Sequence, residues 1–240
     1  MNKKWLLYLL LTSSTYCFSQ ETNDWTYPTL PGTQEWSSLD NHQAKLDACQ
    51  IPEDVLQSIS TSKLIQLCLD YPLLMDIYAF NQISDGFNAF YSSFNGIQEL
   101  VKRTDAIEEL SASYRSKMTE QTSILNNKIT PVLIKGYYKL KVSAIEMFLG
   151  CPQMQSHLTP EQQKTIIALL MQGYEKKYES IDSFKGFGFH ANVYARANII
   201  NDFDPSLFQY AGTSLLIKRV NQDIKAVEEL NEISKRLISK

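Results

Sequence analysis

Residues 70–106 read DYPLLMDIYAFNQISDGFNAFYSSFNGIQELVKRTDA, the densest run of large apolar side chains beyond the first twenty positions. Leu73, Leu74, Ile77, Tyr78 and Phe80, then Phe87, Phe90, Tyr91 and Phe94, then Ile97, Leu100 and Val101 recur every three or four residues. That is the helical period, not the strand period of two. Pro72, Gly86 and Gly96 divide the run, so it predicts several short helices. Helices of about ten residues are unstable alone in water and are held by mutual packing. The stretch therefore predicts the nucleus of an all-α core, in an irregular bundle or a short array like that of helical repeats. Asn81, Asn88 and Asn95 recur every seven residues. Asn81 and Asn95 fall where helices should end, and asparagine tolerates the left-handed backbone used there, so capping accounts for them better than a shared binding ridge.

Towards the N-terminus, Ser60 or Thr61 caps a helix whose Leu64, Ile65, Leu67, Cys68 and Tyr71 form an apolar side. Before it, Pro52 opens a helix with Glu53 and Asp54 in its first turn, where negative charge complements the helix dipole. Another short helix is expected over 39–48. Residues 20–38 carry Pro28, Pro31 and Gly32 without a helical period, which predicts an extended arm. Trp25, Tyr27 and Trp36 predict that this arm lies back, in part, on the helical body.

Towards the C-terminus, Thr104 or Asp105 caps a helix carrying Ile107, Leu110 and Tyr114. A longer helix follows over about 130–149, with apolar side chains on two faces and a narrow polar stripe of Lys128, Lys135, Lys139 and Glu146, the pattern of a helix buried on most sides. Thr159, Pro160 and Gln162 form the clearest local signal, a capping box with proline at the first helical position. Residues 181–205 hold two glycines and four phenylalanines without a clear period. They predict a long loop in which a helix restarts from about 192 to 200. The last helix, 214–238, shows Leu216, Val220, Ile224, Val227, Leu230, Ile233 and Leu237 on one face and should close the bundle; the alternative is a homo-oligomer formed through that face. No segment alternates for long enough to predict a substantial sheet. The expectation is about nine to eleven helices in one all-α domain over 39–240, with lobes at 39–118 and 119–240.

Residues 1–19 follow a different logic. Lys3 and Lys4 precede a short apolar run, and small polar residues lead to Ser19, the pattern of a signal peptide cleaved near that position. This places the mature chain as secreted or periplasmic. The apolar run is far shorter than the roughly 20 residues that span a bilayer, so no integral membrane segment is expected in the mature chain. A lipid anchor on Cys17 is disfavoured by the bulky Tyr16 before it. With 44% hydrophobic and 20% charged residues, the 240-residue chain can bury a sizeable core. A net charge of −3 and a pI near 5.7 argue against nucleic acid as a partner.

Three cysteines follow the leader, Cys49, Cys68 and Cys151. In an oxidising compartment an odd count allows one disulfide and one free thiol. A helix hairpin favours the pairing of Cys49 with Cys68, and three buried thiols are the alternative. No cysteine spacing suits zinc, and no cofactor or metal is expected; Asp202 and Asp204 read better as a capped turn before Pro205 than as calcium ligands. The candidate ligand-binding residues are Phe187, Phe189, His190, Asn192, Tyr194, Arg196 and Asn198. Their alternation of aromatic and polar side chains suits ring contact with hydrogen bonding, as for a sugar or a peptide. The competing reading packs the phenylalanines into the core and pairs Arg196 with an acidic neighbour.

The segments IPEDVLQSIS, STSKLIQLCLDYP and DGFNAFYSSFNGIQELVKRTDA, within residues 51–114, resemble a helical region of uncharacterised secreted bacterial proteins. The resemblance implies secretion and helices and brings no activity with it. In some of those proteins the region accompanies a separate cysteine-and-histidine domain, which has no counterpart in this sequence. Three functional expectations remain open: a non-catalytic helical domain that binds a protein, a peptide or a surface glycan; a cell-envelope hydrolase centred on Cys151 or on the 184–204 loop; and a structural homo-oligomer.

Overall fold

The computed structural model describes residues 25–184, 188–208 and 224–239. The expected signal peptide with Cys17, the candidate Phe187 and the first part of the last helix lie outside them. Side-chain caps set many of the helix starts. Thr33, Asn41 and Ser60 each accept a hydrogen bond from a first-turn backbone N–H, opening α1 (Gln34–Ser37), α2 (His42–Ala48) and α4 (Thr61–Leu69). Between them α3 (Glu53–Ser58) begins after Pro52. A 3-10 helix (Leu74–Ala79) then leads into α5 (Ile83–Ser93), α6 (Asn95–Leu100) and α7 (Ala106–Leu125). Next come α8 (Val132–Leu149), α9 (Pro152–Gln155) and α10 (Pro160–Tyr178), the last with both halves of the Thr159–Gln162 capping box in place. The chain continues through α11 (Ile181–Phe184), α12 (His190–Phe203), a 3-10 turn (Pro205–Leu207) and α13 (Ile224–Ile238). The fold is all-α, and the described residues contain no strand. The total exceeds the expected number because four-residue helices such as α1, α9 and α11 leave no period to read.

The 70–106 stretch supplies core, with boundaries other than those expected. Tyr71 stacks on Phe94 and meets Phe90 edge-on, and Phe87 and Phe90 meet Phe148 of α8. Pro72 sits in a turn, not at a helix start. Gly86 does not end a helix either; it lies inside α5 where the Ile77 backbone crosses, and a Cβ there would fall 1.9 Å from the Ile77 carbonyl oxygen. Asn95 is a cross-link and not a cap: its side chain accepts from the Ile51 N–H at 3.0 Å and donates to the Ile51 carbonyl at 2.7 Å. The N-terminal arm does lie on the body, with Tyr27 buried and its hydroxyl donating to Leu67 O at 2.9 Å.

At the other end, α12 is the central helix, packed against α8, α10, α13 and α5. The helix expected to restart from about 192 to 200 is present as α12, begins already at His190, and is a core helix and not part of a loop: residues 191–200 are all buried except the half-buried Asn198. Its sequence shows no stripe because a helix enclosed on all sides has no polar face. The apolar face of α13, with Ala226, Leu230, Ile233 and Leu237 buried, packs onto α10 and α12 within the same chain. For α8 the sequence reading holds over half its length: residues 142–149 are buried, but most of the first turns are open to solvent. One continuous apolar core runs from Tyr27 to Leu237. Cys49, Cys68 and Cys151 are buried free thiols, so no bridge joins Cys49 to Cys68. Among the described residues, no helix is long and apolar enough to cross a membrane, and no cluster of metal-ligating side chains is formed.

Candidate functional site

The sequence candidates meet inside the bundle. Asn192 and Arg196, one turn apart on α12, point into a polar network that also takes Tyr114 from α7, Glu146 from α8, Lys177 from α10 and Ser234 from α13. Lys177 Nζ lies 2.6 Å from Glu146 Oε2, both side chains being wholly inaccessible to solvent. Glu146 Oε1 accepts from the Tyr114 hydroxyl at 2.5 Å and from Asn192 Nδ2 at 2.9 Å. Asn192 in turn accepts from Arg196 Nε at 2.9 Å, and Arg196 Nη1 donates to Asn231 Oδ1 and Ser234 Oγ. Gly173 makes room for this arrangement, since a Cβ there would strike the Tyr114 hydroxyl at 1.8 Å.

Two buried cations thus face one buried anion. The Arg196 guanidinium lies 4.7 Å from the centre of the Tyr174 ring, whose face offers a further attraction to positive charge. Its Nη2 has no hydrogen-bond partner among the described residues. Burial pulls the Lys177 ammonium below its ordinary range, opposed by the carboxylate of Glu146. Burial likewise lowers Arg196 to about 10, which leaves it charged at neutral pH. Burial and the neighbouring Glu146 push the Tyr114 phenol well up, so it remains a donor. At this depth the network cannot touch a ligand. It braces α7, α8, α10, α12 and α13 in one register, and Arg196 pairs through Asn192 with Glu146 at second hand.

The other candidates are also packing groups. Tyr194 is buried, 6.2 Å from the Phe87 ring. Phe189 sits among Tyr174, Tyr178 and Phe184. Asn198 donates to Gly150 O at 3.2 Å. His190 is half-buried, and burial together with the nearby Lys177 lowers its imidazole to about 4. Cys151 is fully buried, its thiol pushed up to about 11 by burial and donating to Gln153 Oε1 at 3.0 Å. A reactive cysteine needs a lowered pKa and access, and Cys151 has neither.

An open concave feature lies against α7 and α10. A cleft of about 640 Å³ runs between the 101–115 segment and the 154–166 segment. Its apolar floor includes Val101, Ile107, Met154 and Ile166, and its polar margin includes Lys102, Arg103, Ser111, Arg115, His157 and Gln162. Arg103 is committed elsewhere: its guanidinium donates to Ile59 O at 3.0 Å and Leu56 O at 2.5 Å, closing the end of α3, and to Glu99. Lys102 is highly exposed, 3.7 Å from Glu99. Arg115 and His157 are exposed at the margin, facing a single carboxylate in the lining, Glu108. The sequence gives no signal for this cleft, because its walls come from two segments far apart in the chain and Arg115 and His157 stand in no shared motif. No protein-family model matches the chain, and neither a curated protein nor a solved structure matches it.

Proposed function

We propose that the protein is a non-catalytic helical binding domain that takes a short acidic peptide segment of a partner protein in the cleft between the start of α7 and the α9–α10 turn. The cleft itself carries the reading: an apolar floor under a margin in which Lys102 and Arg115 outweigh Glu108. Its volume falls in the range of about 300–1,000 Å³ usual for ligand sites. Apolar side chains of the segment would sit on Ile107, Met154 and Ile166, and a carboxylate would meet the Arg115 guanidinium, which suits that planar group in two-point contact. The described lining residues include no Trp, Tyr or Phe, so a sugar would find no ring to lie on; a peptide is favoured over a glycan. The surrounding helices are held in place by the buried network, which supports a preformed site, and such a site costs less ordering when it is filled.

Selection of a random peptide display library on the purified protein tests this reading. The expected result is enrichment of segments that combine Asp or Glu with a large apolar residue, bound at least about tenfold more weakly by Arg115→Glu and not at all by Thr165→Trp, which fills the cleft from an exposed position. A library that yields no binder, or binders retained equally by both variants, would remove the proposal.

A further inference from the structure

The three most exposed large apolar side chains of the described residues lie side by side, Ile129 at 89%, Val132 at 86% and Leu133 at 67%. Ile134 and Tyr137 are about half exposed next to them. They occupy the turn before α8 and its first turns. Gly136 falls among them with open space beyond its Cα. A solvent-facing apolar cluster of this kind marks a contact surface.

Charge narrows down what it contacts. Residues 121–145 contain four lysines, Lys128, Lys135, Lys139 and Lys141, and no aspartate or glutamate, in a chain that is negative overall. Lys141 is engaged by Asp70 at 2.5 Å. The other three flank the apolar cluster and hold no ion pair among the described residues. The surface is small, about five side chains, whereas a stable protein interface takes roughly 20–30 residues a side. A second copy or a folded partner is therefore poorly served by it. An anionic bilayer is well served: apolar side chains enter the headgroup boundary to a depth of about 5–10 Å. Tyrosine sits at that level, and lysines meet the lipid phosphates.

We propose that the 128–139 knuckle docks the protein peripherally on an anionic lipid surface. The chain lies on the surface without spanning it, with Ile129, Val132 and Leu133 inserted and Lys128, Lys135 and Lys139 against the headgroups. The cleft between α7 and α10 is lined by other residues and plays no part in this contact.

The test is co-sedimentation of protein starting at Gln20, which keeps every described residue, with vesicles of phosphatidylcholine alone and with about a third phosphatidylglycerol. Binding is expected to the anionic vesicles and to weaken with salt. Ile129→Ser with Leu133→Ser should lower partitioning at least about tenfold, and so should Lys128→Gln, Lys135→Gln and Lys139→Gln together. All these positions are solvent-facing or half-buried, and thermal melts confirm that the variants are folded. Equal binding to neutral vesicles, no loss in either set of variants, or no binding at all would overturn the proposal. So would a concentration-dependent dimer, seen by light scattering, that Leu133→Ser abolishes.

Discussion

Among residues 50–103, Leu64, Phe87, Phe94, Ile97 and Leu100 are fully buried and no charged group is buried with them, whereas Glu146, Lys177 and Arg196 reach the same depth in the second half of the chain. The 50–103 region holds its helix junctions with bonds from side chain to backbone. Asn95 grips Ile51, Gln50 donates to Ser93 O at 2.9 Å, and Arg103 closes α3. The buried network, Tyr114 of α7 included, spends its polar groups largely on one another, across five helices. An apolar core distributes its stabilisation over many weak contacts and degrades gradually. A buried charged core is conditional, because each member is stable only while its partner is present. The network therefore does more to fix which residues of α7 face α10 than to add net stability, and those two helices are the walls of the cleft.

Removing one partner breaks the comparison open. Lys177→Met keeps the apolar stem and deletes the charge, leaving Glu146 buried with only Tyr114 and Asn192 as donors. The expected cost is about 4 kcal/mol in urea unfolding at neutral pH.

Acidification should separate the two regions by a smaller amount. The His190 imidazole is lowered from 6.5 to about 4 in the folded chain, first by burial and then by Lys177. Between those values the unfolded chain holds the extra proton, so stability is present above pH 6.5 and is lost as pH falls towards 4. The expected loss is about 2 kcal/mol after allowance for screening at this half-buried position. It should appear first as faster amide exchange in α10 and α12, with α4, α5 and α6 unaffected. His190→Gln should flatten the profile over that window; an unchanged profile would assign the acid sensitivity elsewhere.

How much of this was legible in the sequence follows from the same contrast. Ser60 and the Thr159–Gln162 box announced their helices because caps act locally. The aromatic run of 70–106 announced a core because its period is helical over every piece. The network could not be read, since Tyr114, Glu146, Lys177 and Asn192 lie on four helices: Glu146 falls in the polar stripe of α8, Tyr114 among the apolar side chains of α7, and nothing in the sequence joins them. Asn192 and Arg196 were singled out for their chemistry and placed in a short helix within a loop. A fully enclosed helix offers neither stripe nor polar face, and Gly186 and Gly188 just ahead of it look like loop residues. The exposed start of α8 was misjudged for a related reason: the residue pattern records what a helix could bury, while the reach of its neighbours decides what it does bury.

The most direct measurement is a double-mutant cycle on the buried pair, with urea unfolding of Glu146→Leu, Lys177→Met and the double variant followed by far-ultraviolet circular dichroism. The account predicts that each single substitution costs about 3–5 kcal/mol and that the double variant is more stable than either single. Additive losses, with the double variant less stable than both singles, would contradict it.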